Sequence, residues 1–254
     1  MFLKILFASL LWTSLLHAIE IENISHAIDV AGKQRMFTQR LLKDYAMIGM
    51  GNTFGNPKDD LQKIVYDFED HLHALELFTH ESATKKRIAD AKKLWAPIKQ
   101  KLLLTPTKKD AVTLQPELEK LLKISDDITK LFAAQSGTST GEIINISGRQ
   151  RMLSQRMASL YMLKVWGIND PQFQKKLHAA MHLFKDSLVK LLAYEKNTPQ
   201  LTALLEKAKR SFMFFEIMAK SKSKFVPTLI YKKSNDILKN MNTATKLYTK
   251  LETK

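Results

Sequence analysis

Ile64, Phe68, Leu72 and Leu75 recur at spacings of three and four, which puts them on one face of a helix. The same period runs along the chain between short stretches rich in Gly, Pro, Asn, Ser and Thr. In the first half, "GNTFGNP" (Gly51–Pro57), "THESAT" (Thr79–Thr84), "TPTKKD" (Thr105–Asp110) and "SGTSTG" (Ser136–Gly141) separate four apolar-periodic segments. In the second half, "GINDP", "KNTP" and the region of "KFVP" break the pattern in matching places. Short connections make consecutive helices antiparallel. The pattern therefore predicts an all-α protein of two tandem antiparallel four-helix bundles.

The matching breaks reflect an internal duplication. "IDVAGKQRMFTQR" (Ile28–Arg40) and "INISGRQRMLSQR" (Ile144–Arg156) agree at seven of thirteen positions, and the other six pairs are conservative. The same offset of 116 pairs Tyr45 with Tyr161, Gly51 with Gly167, and Phe68, Asp70, Leu72 and Leu75 with Phe184, Asp186, Leu188 and Leu191. Trp95 falls opposite Phe212 with one residue of slip, and "SDDI" at Ser125 echoes "SNDI" at Ser234. One register held over such a length marks a repeat. The expected division is residues 1–18 as a leader, 19–137 as the first unit and 138–254 as the second.

The leader reading comes from "MFLKILFASLLWTSLLHA", which has one cation, Lys4, then an apolar run, then small Ala18 before "IEIE". That order is a secretory signal, and the run is shorter than the roughly 20 residues that span a bilayer. The expectation is an exported, periplasmic protein, with an uncleaved anchor as the alternative. No cysteine is present, which excludes disulfides, thiol chemistry and cysteine metal sites. The formal net charge of +15 suits anionic small molecules, lipid surfaces or acidic proteins; export argues against nucleic acid. Much of the charge reads as a solvated surface, with lysines spread along every predicted helix.

Within the repeated phrase, Gly32, Arg35 and Gln39 share a helix face, as do Gly148, Arg151 and Gln155, while Arg40 and Arg156 point about 140° away. Arg40 and Arg156 are expected to be structural ion pairs, with Asp70 and Asp186 or Asp127 and Asp236 as partners. Arg35 and Arg151 are expected to be buried beside Met36 and Met152. A buried cation demands an anion, so these two are the candidate ligand-binding pair. The bland alternative is arginines paired to carboxylates of a neighbouring helix. Glycine inside a helix costs about 0.5–1 kcal/mol, so its presence in both copies implies close approach of a backbone or ligand. "HLH" at His71–His73 is the nearest approach to a metal pattern, but its histidines diverge around a helix. No catalytic constellation, metal site or cofactor motif is evident.

The two thirteen-residue phrases resemble the signature of the PilJ-like family, the type IV pilus methyl-accepting chemotaxis transducer N-terminal domain. That family is related to the sensor domains of nitrate- and nitrite-responsive histidine kinases. The resemblance implies extracytoplasmic four-helix sensor bundles. It also implies that Arg35 and Arg151 correspond to the arginine that grips nitrate or nitrite where two first helices meet. Gly32, Gly148, Met36, Met152, Gln39 and Gln155 would surround the ligand. Relatives of the sensor type continue into a signalling module, so a separate protein partner such as a membrane receptor is implied. With two units in one chain, an internal pseudo-dimer or a homodimer could set Arg35 against Arg151. The competing reading is an adaptor without ligand that holds a membrane surface or an acidic partner by its basic helical faces.

Overall fold

The computed structural model describes residues 19–137, 139–220 and 226–252, so the leader lies outside the described residues. Among them the chain is all-helical: α1 (Ile24–Gly49), α2 (Pro57–Phe78), α3 (Ser82–Leu102), α4 (Lys108–Ser136), α5 (Ser139–Val165), α6 (Gln172–Leu192), α7 (Pro199–Lys220) and α8 (Pro227–Glu252). No helix among them is long and apolar enough to cross a membrane.

Local chemistry sets the helix ends. Asn23 caps α1 by accepting from the His26 amide at 2.9 Å, and the Thr107 hydroxyl caps α4 by accepting from the Asp110 amide. Pro57 fills the first turn of α2, where its missing N–H costs nothing. Gly51 and Gly167 take left-handed φ of 68° and 83° just past α1 and α5. There the amides of Asn52 and Ile168 turn back onto the Met47 and Leu163 carbonyls, which closes both helices alike.

The eight helices form two four-membered rings, α1–α2–α3–α4 and α5–α6–α7–α8, joined chiefly by α1 against α5. Asp29 of α1 meets Arg151 of α5, Arg35 meets Asn145, and Trp166 lies against Gly49 at the far ends. The two helices thus run side by side in the same direction, about a pseudo-two-fold axis along their length. A bundle helix ordinarily buries one stripe. Here α1 buries a second one against α5, and Ala27, Val30, Ala31, Leu41, Leu42, Tyr45, Ala46 and Met47 all have no exposed surface.

Equivalent contacts repeat at the predicted offset. Gln34 donates to the Phe68 carbonyl and Gln150 to that of Phe184, both at 3.0 Å. Phe68 stacks on Trp95 at 4.2 Å and Phe184 on Phe212 at 4.5 Å. The echo of "SDDI" in "SNDI" is not structural, however. Thr129 bonds back to Ser125 and Thr245 to Met241, which sets Ser125 opposite Met241 and Asp126 opposite Asn242. The echo is slipped by seven residues, two turns that leave a helix face unchanged and so deceive a reading by periodicity.

A Cβ on Gly49 would come within 2.1 Å of the Trp166 ring. Gly49→Ala should therefore lower the unfolding free energy by about 1–3 kcal/mol through overpacking, despite the better helix propensity of alanine. Urea denaturation of the two proteins measures the difference.

Candidate functional site

Arg35 and Arg151 have no exposed surface, which is rare for a side chain this polar. The pseudo-symmetry brings both guanidinium groups to the same place. A Cβ on Gly32 would stand 3.0 Å from Arg151 Nη2 and 3.4 Å from Arg35 Nη2; on Gly148 the same distances are 3.0 and 3.3 Å. The glycines therefore make room for the guanidinium groups themselves, in place of the backbone or ligand expected from sequence.

Each arginine holds one carboxylate and one amide side chain. Arg35 Nη1 donates to Asp126 at 2.7 Å on α4 and to Asn145 Oδ1 at 2.8 Å on α5. Arg151 Nη1 donates to Asp29 at 2.6 Å on α1 and to Asn242 Oδ1 at 3.3 Å on α8. Arg35 thus takes its carboxylate from its own bundle, whereas Arg151 takes its carboxylate from the opposite one. Asp126 and Asp29 thus supply counter-charge to the two buried cations from neighbouring helices, as in the alternative reading of the sequence.

The other edge of each guanidinium is different. Nη2 reaches only a backbone carbonyl, that of Asn145 at 3.2 Å or of Asp29 at 3.3 Å, and both buried Nε–H groups lack an acceptor. Nε with Nη2 is the fork with which Arg40 grips the two oxygens of Asp60, at 2.7 and 2.5 Å. Arg35 and Arg151 therefore converge through Nη2 atoms that hold no carboxylate.

The surroundings are rich in positive charge. Lys33 lies 3.1 Å from Asp29, and Lys130 and Arg149 lie 2.7 and 3.8 Å from Asp126. Burial, opposed by the Asp126 charge, brings Arg35 down to about 10, and the neighbouring Arg149 and Arg151 push the same way. Burial works against the Asp29 charge, but Arg151 and Lys33 outweigh it and hold the carboxyl at about 2.

The remaining predicted residues lie near the axis with other partners. Met36 and Met152 are core residues. Gln39 and Gln155 sit a turn beyond the arginines. Gln39 accepts from Ser159, and Gln155 accepts from the Lys43 ammonium at 2.7 Å and donates to the Ser234 carbonyl. Arg40 and Arg156 form ion pairs, with Asp60 on α2 and Glu119 on α4. The partners proposed from sequence are engaged elsewhere: Asp70 accepts from the Ile19 amide, Asp186 pairs with His182, Asp127 with Arg87, and Asp236 with Lys232 and Lys233.

Sequence reasoning missed Asp29, Asn145, Asp126 and Asn242, although the first two were visible as one of the six conservative exchanges. It also missed Lys43 and Asp44, both fully buried, where the second repeat has Ser159 and Leu160. Lys43 also donates to Asn235 and sits 4.1 Å above the Tyr231 ring; burial, only partly opposed by Asp44, brings its pKa down to about 8. Burial drives Asp44 well above the usual carboxylate range. His71 is buried against Phe37 and pushed down to about 3 by that burial, while His73 faces solvent. No cluster of potential metal ligands occurs among the described residues.

The sequence pattern of a family described as type IV pili methyl-accepting chemotaxis transducer N-term matches residues 20–123 and 132–211. No curated protein and no solved structure matches the chain.

The Asp29 carboxyl lies below its ordinary value of 3.8, so its pairing stabilises the fold above about pH 4 and is lost as pH falls toward 2. Asp29→Asn should cost about 3 kcal/mol at pH 7, because it leaves Arg151 buried without a carboxylate. The stability curves of the two proteins should converge near pH 2 when measured by urea denaturation across that range.

Proposed function

Since the chain belongs to the type IV pili methyl-accepting chemotaxis transducer N-terminal family, a family of periplasmic sensory domains, we propose that it is an exported oxyanion-responsive sensor. Its signal is the pairing of α1 with α5. The observation that carries the reading is the convergence of the Nη2 atoms of Arg35 and Arg151 on the Gly32–Gly148 pair. Both Nε–H groups are buried without an acceptor, amid more cations than carboxylates.

A small planar anion such as nitrate or nitrite offers an oxygen edge to each fork and lowers the repulsion between the two guanidinium groups. Charge-assisted hydrogen bonds of this type contribute about 1.5–3 kcal/mol each. The anion touches α1 and α5 at once, so it favours the closely paired arrangement over any looser one, and its differential affinity drives the shift. A membrane receptor or other protein partner then reads that arrangement.

One observation favours the adaptor reading instead: Asp126 and Asp29 already neutralise the arginines, so the clasp can stand without a ligand. Thermal unfolding in nitrate, nitrite, chloride and sulfate at matched ionic strength separates the two readings. A sensor is stabilised selectively by the planar anions. A concentration near a hundred times Kd contributes about 2.7 kcal/mol, and each kcal/mol raises the midpoint by about 2–4 °C in a chain of this size. Arg35→Lys/Arg151→Lys keeps the charge, removes both forks and should abolish the selectivity. An equal shift in every salt would reject the sensor in favour of the adaptor.

A further inference from the structure

The net charge is shared unequally between the repeats. Residues 139–254 contain 21 Lys and Arg against 8 Asp and Glu, whereas residues 19–137 contain 18 against 17. The lysines are spread through the chain as expected, but the acids that offset them are concentrated in the first bundle. The second bundle is therefore a strongly basic body attached to a nearly neutral one.

An apolar seam lies on that basic body. In each bundle the contact between the second and third helices, α2 with α3 and α6 with α7, is among the lightest in its ring. In the first bundle this seam combines ion pairs with apolar residues, Leu72, Trp95, Ala96 and Leu103 among them. Glu69 pairs with Lys99 at 2.8 Å and Glu76 with Lys92 at 2.5 Å, and His73, Ala96 and Gln100 complete the lining of a cleft of about 570 Å³ or its rim. In the second bundle the Glu69–Lys99 bridge recurs with its signs exchanged, as Lys185 with Glu216 at 3.5 Å, which confirms the register.

Other positions carry larger or more apolar residues. Val189, Leu192, Met213 and Ile217 replace His73, Glu76, Ala96 and Gln100. Val189, Met213 and Ile217 are 61%, 51% and 58% exposed, so nothing among the described residues covers them. The first bundle is an internal control: the fold forms this seam with His73, Ala96 and Gln100 at the matching positions, hence packing within the bundle does not require the large apolar side chains of Val189, Met213 and Ile217.

We propose that the α6–α7 seam is a docking site for an acidic amphipathic helix of a partner protein, laid along Val189, Met213 and Ile217. A groove between two helices is filled by a third, whose apolar stripe matches such a line. The surplus of cations on the bundle selects acidic flanks. A second copy of the chain is disfavoured by repulsion between two basic bodies. An anionic lipid surface, being flat, would touch only the rims of the groove. The docking site is independent of what Arg35 and Arg151 bind.

The test is a fluorescence-anisotropy titration with a synthetic helix of about 20 residues, leucines at helical spacing and glutamates and alanines elsewhere. Val189→His/Met213→Ala/Ile217→Gln installs the residues that the first bundle carries, so the variant should keep its helicity and unfolding midpoint. The expected result is binding weakened at least about tenfold in the variant. A scrambled peptide of equal charge should bind the parent no better than the helix binds the variant. Equal binding of the helix to both proteins would overturn the proposal, because charge alone would then explain it. Two further results would also overturn it. One is capture of anionic phospholipid vesicles, with no binding of the helix, that the triple substitution removes. The other is self-association in sedimentation that the same substitution removes.

Discussion

Two guanidinium groups buried side by side are the constraint around which the rest of the structure is arranged. Stripping an ion of water costs several kcal/mol even after relaxation, and two like charges in one place add repulsion. The chain meets that cost with acceptors from four helices, α1, α4, α5 and α8. Because those helices come from both bundles, solvating the arginines and joining the bundles are one event. Gly32 and Gly148 follow from the same constraint, since a Cβ there would crowd the guanidinium groups at 3.0–3.4 Å and require them to shift. α1 is buried on two sides for the same reason.

The clasp is symmetric in shape but not in charge. Asp29 and Asp126, both in the first repeat, supply the carboxylates, while Asn145 and Asn242 supply amides from the second. The second bundle thus depends on the first for the counter-charge of Arg151. The Lys43–Asp44 pair deepens the asymmetry, for Lys43 reaches across to Gln155 and Asn235 where the second repeat offers only Ser159 in return. Duplication has left one frame with two chemically different halves: a nearly neutral bundle that completes the clasp, and a basic one that presents an apolar seam to solvent.

The sequence made the frame legible because it rests on helical periodicity, on breakers and on a repeat that keeps one offset. Gly32, Arg35, Gly148 and Arg151 stood out because a helix-interior glycine beside a cation is costly and occurs twice. The carboxylates did not stand out. Asp29 looked like an ordinary conservative exchange with Asn145, and only the parallel pairing of α1 with α5 brings it to Arg151. Asp126 was hidden by the seven-residue slip that aligned Ser125 with Ser234, since two helical turns preserve the pattern while moving every contact. Partners for Arg40 and Arg156 were misjudged because one lies in its own bundle and the other across the junction, a difference that no repeat alignment can express.

Differential scanning calorimetry of the purified chain tests the central claim most directly, that the arginine clasp makes the two bundles one cooperative body. If α1 and α5 are joined through Arg35, Arg151 and their carboxylates, the chain should unfold in a single transition whose calorimetric and van't Hoff enthalpies agree. Two resolved transitions, with the basic bundle melting apart from the neutral one, would contradict it.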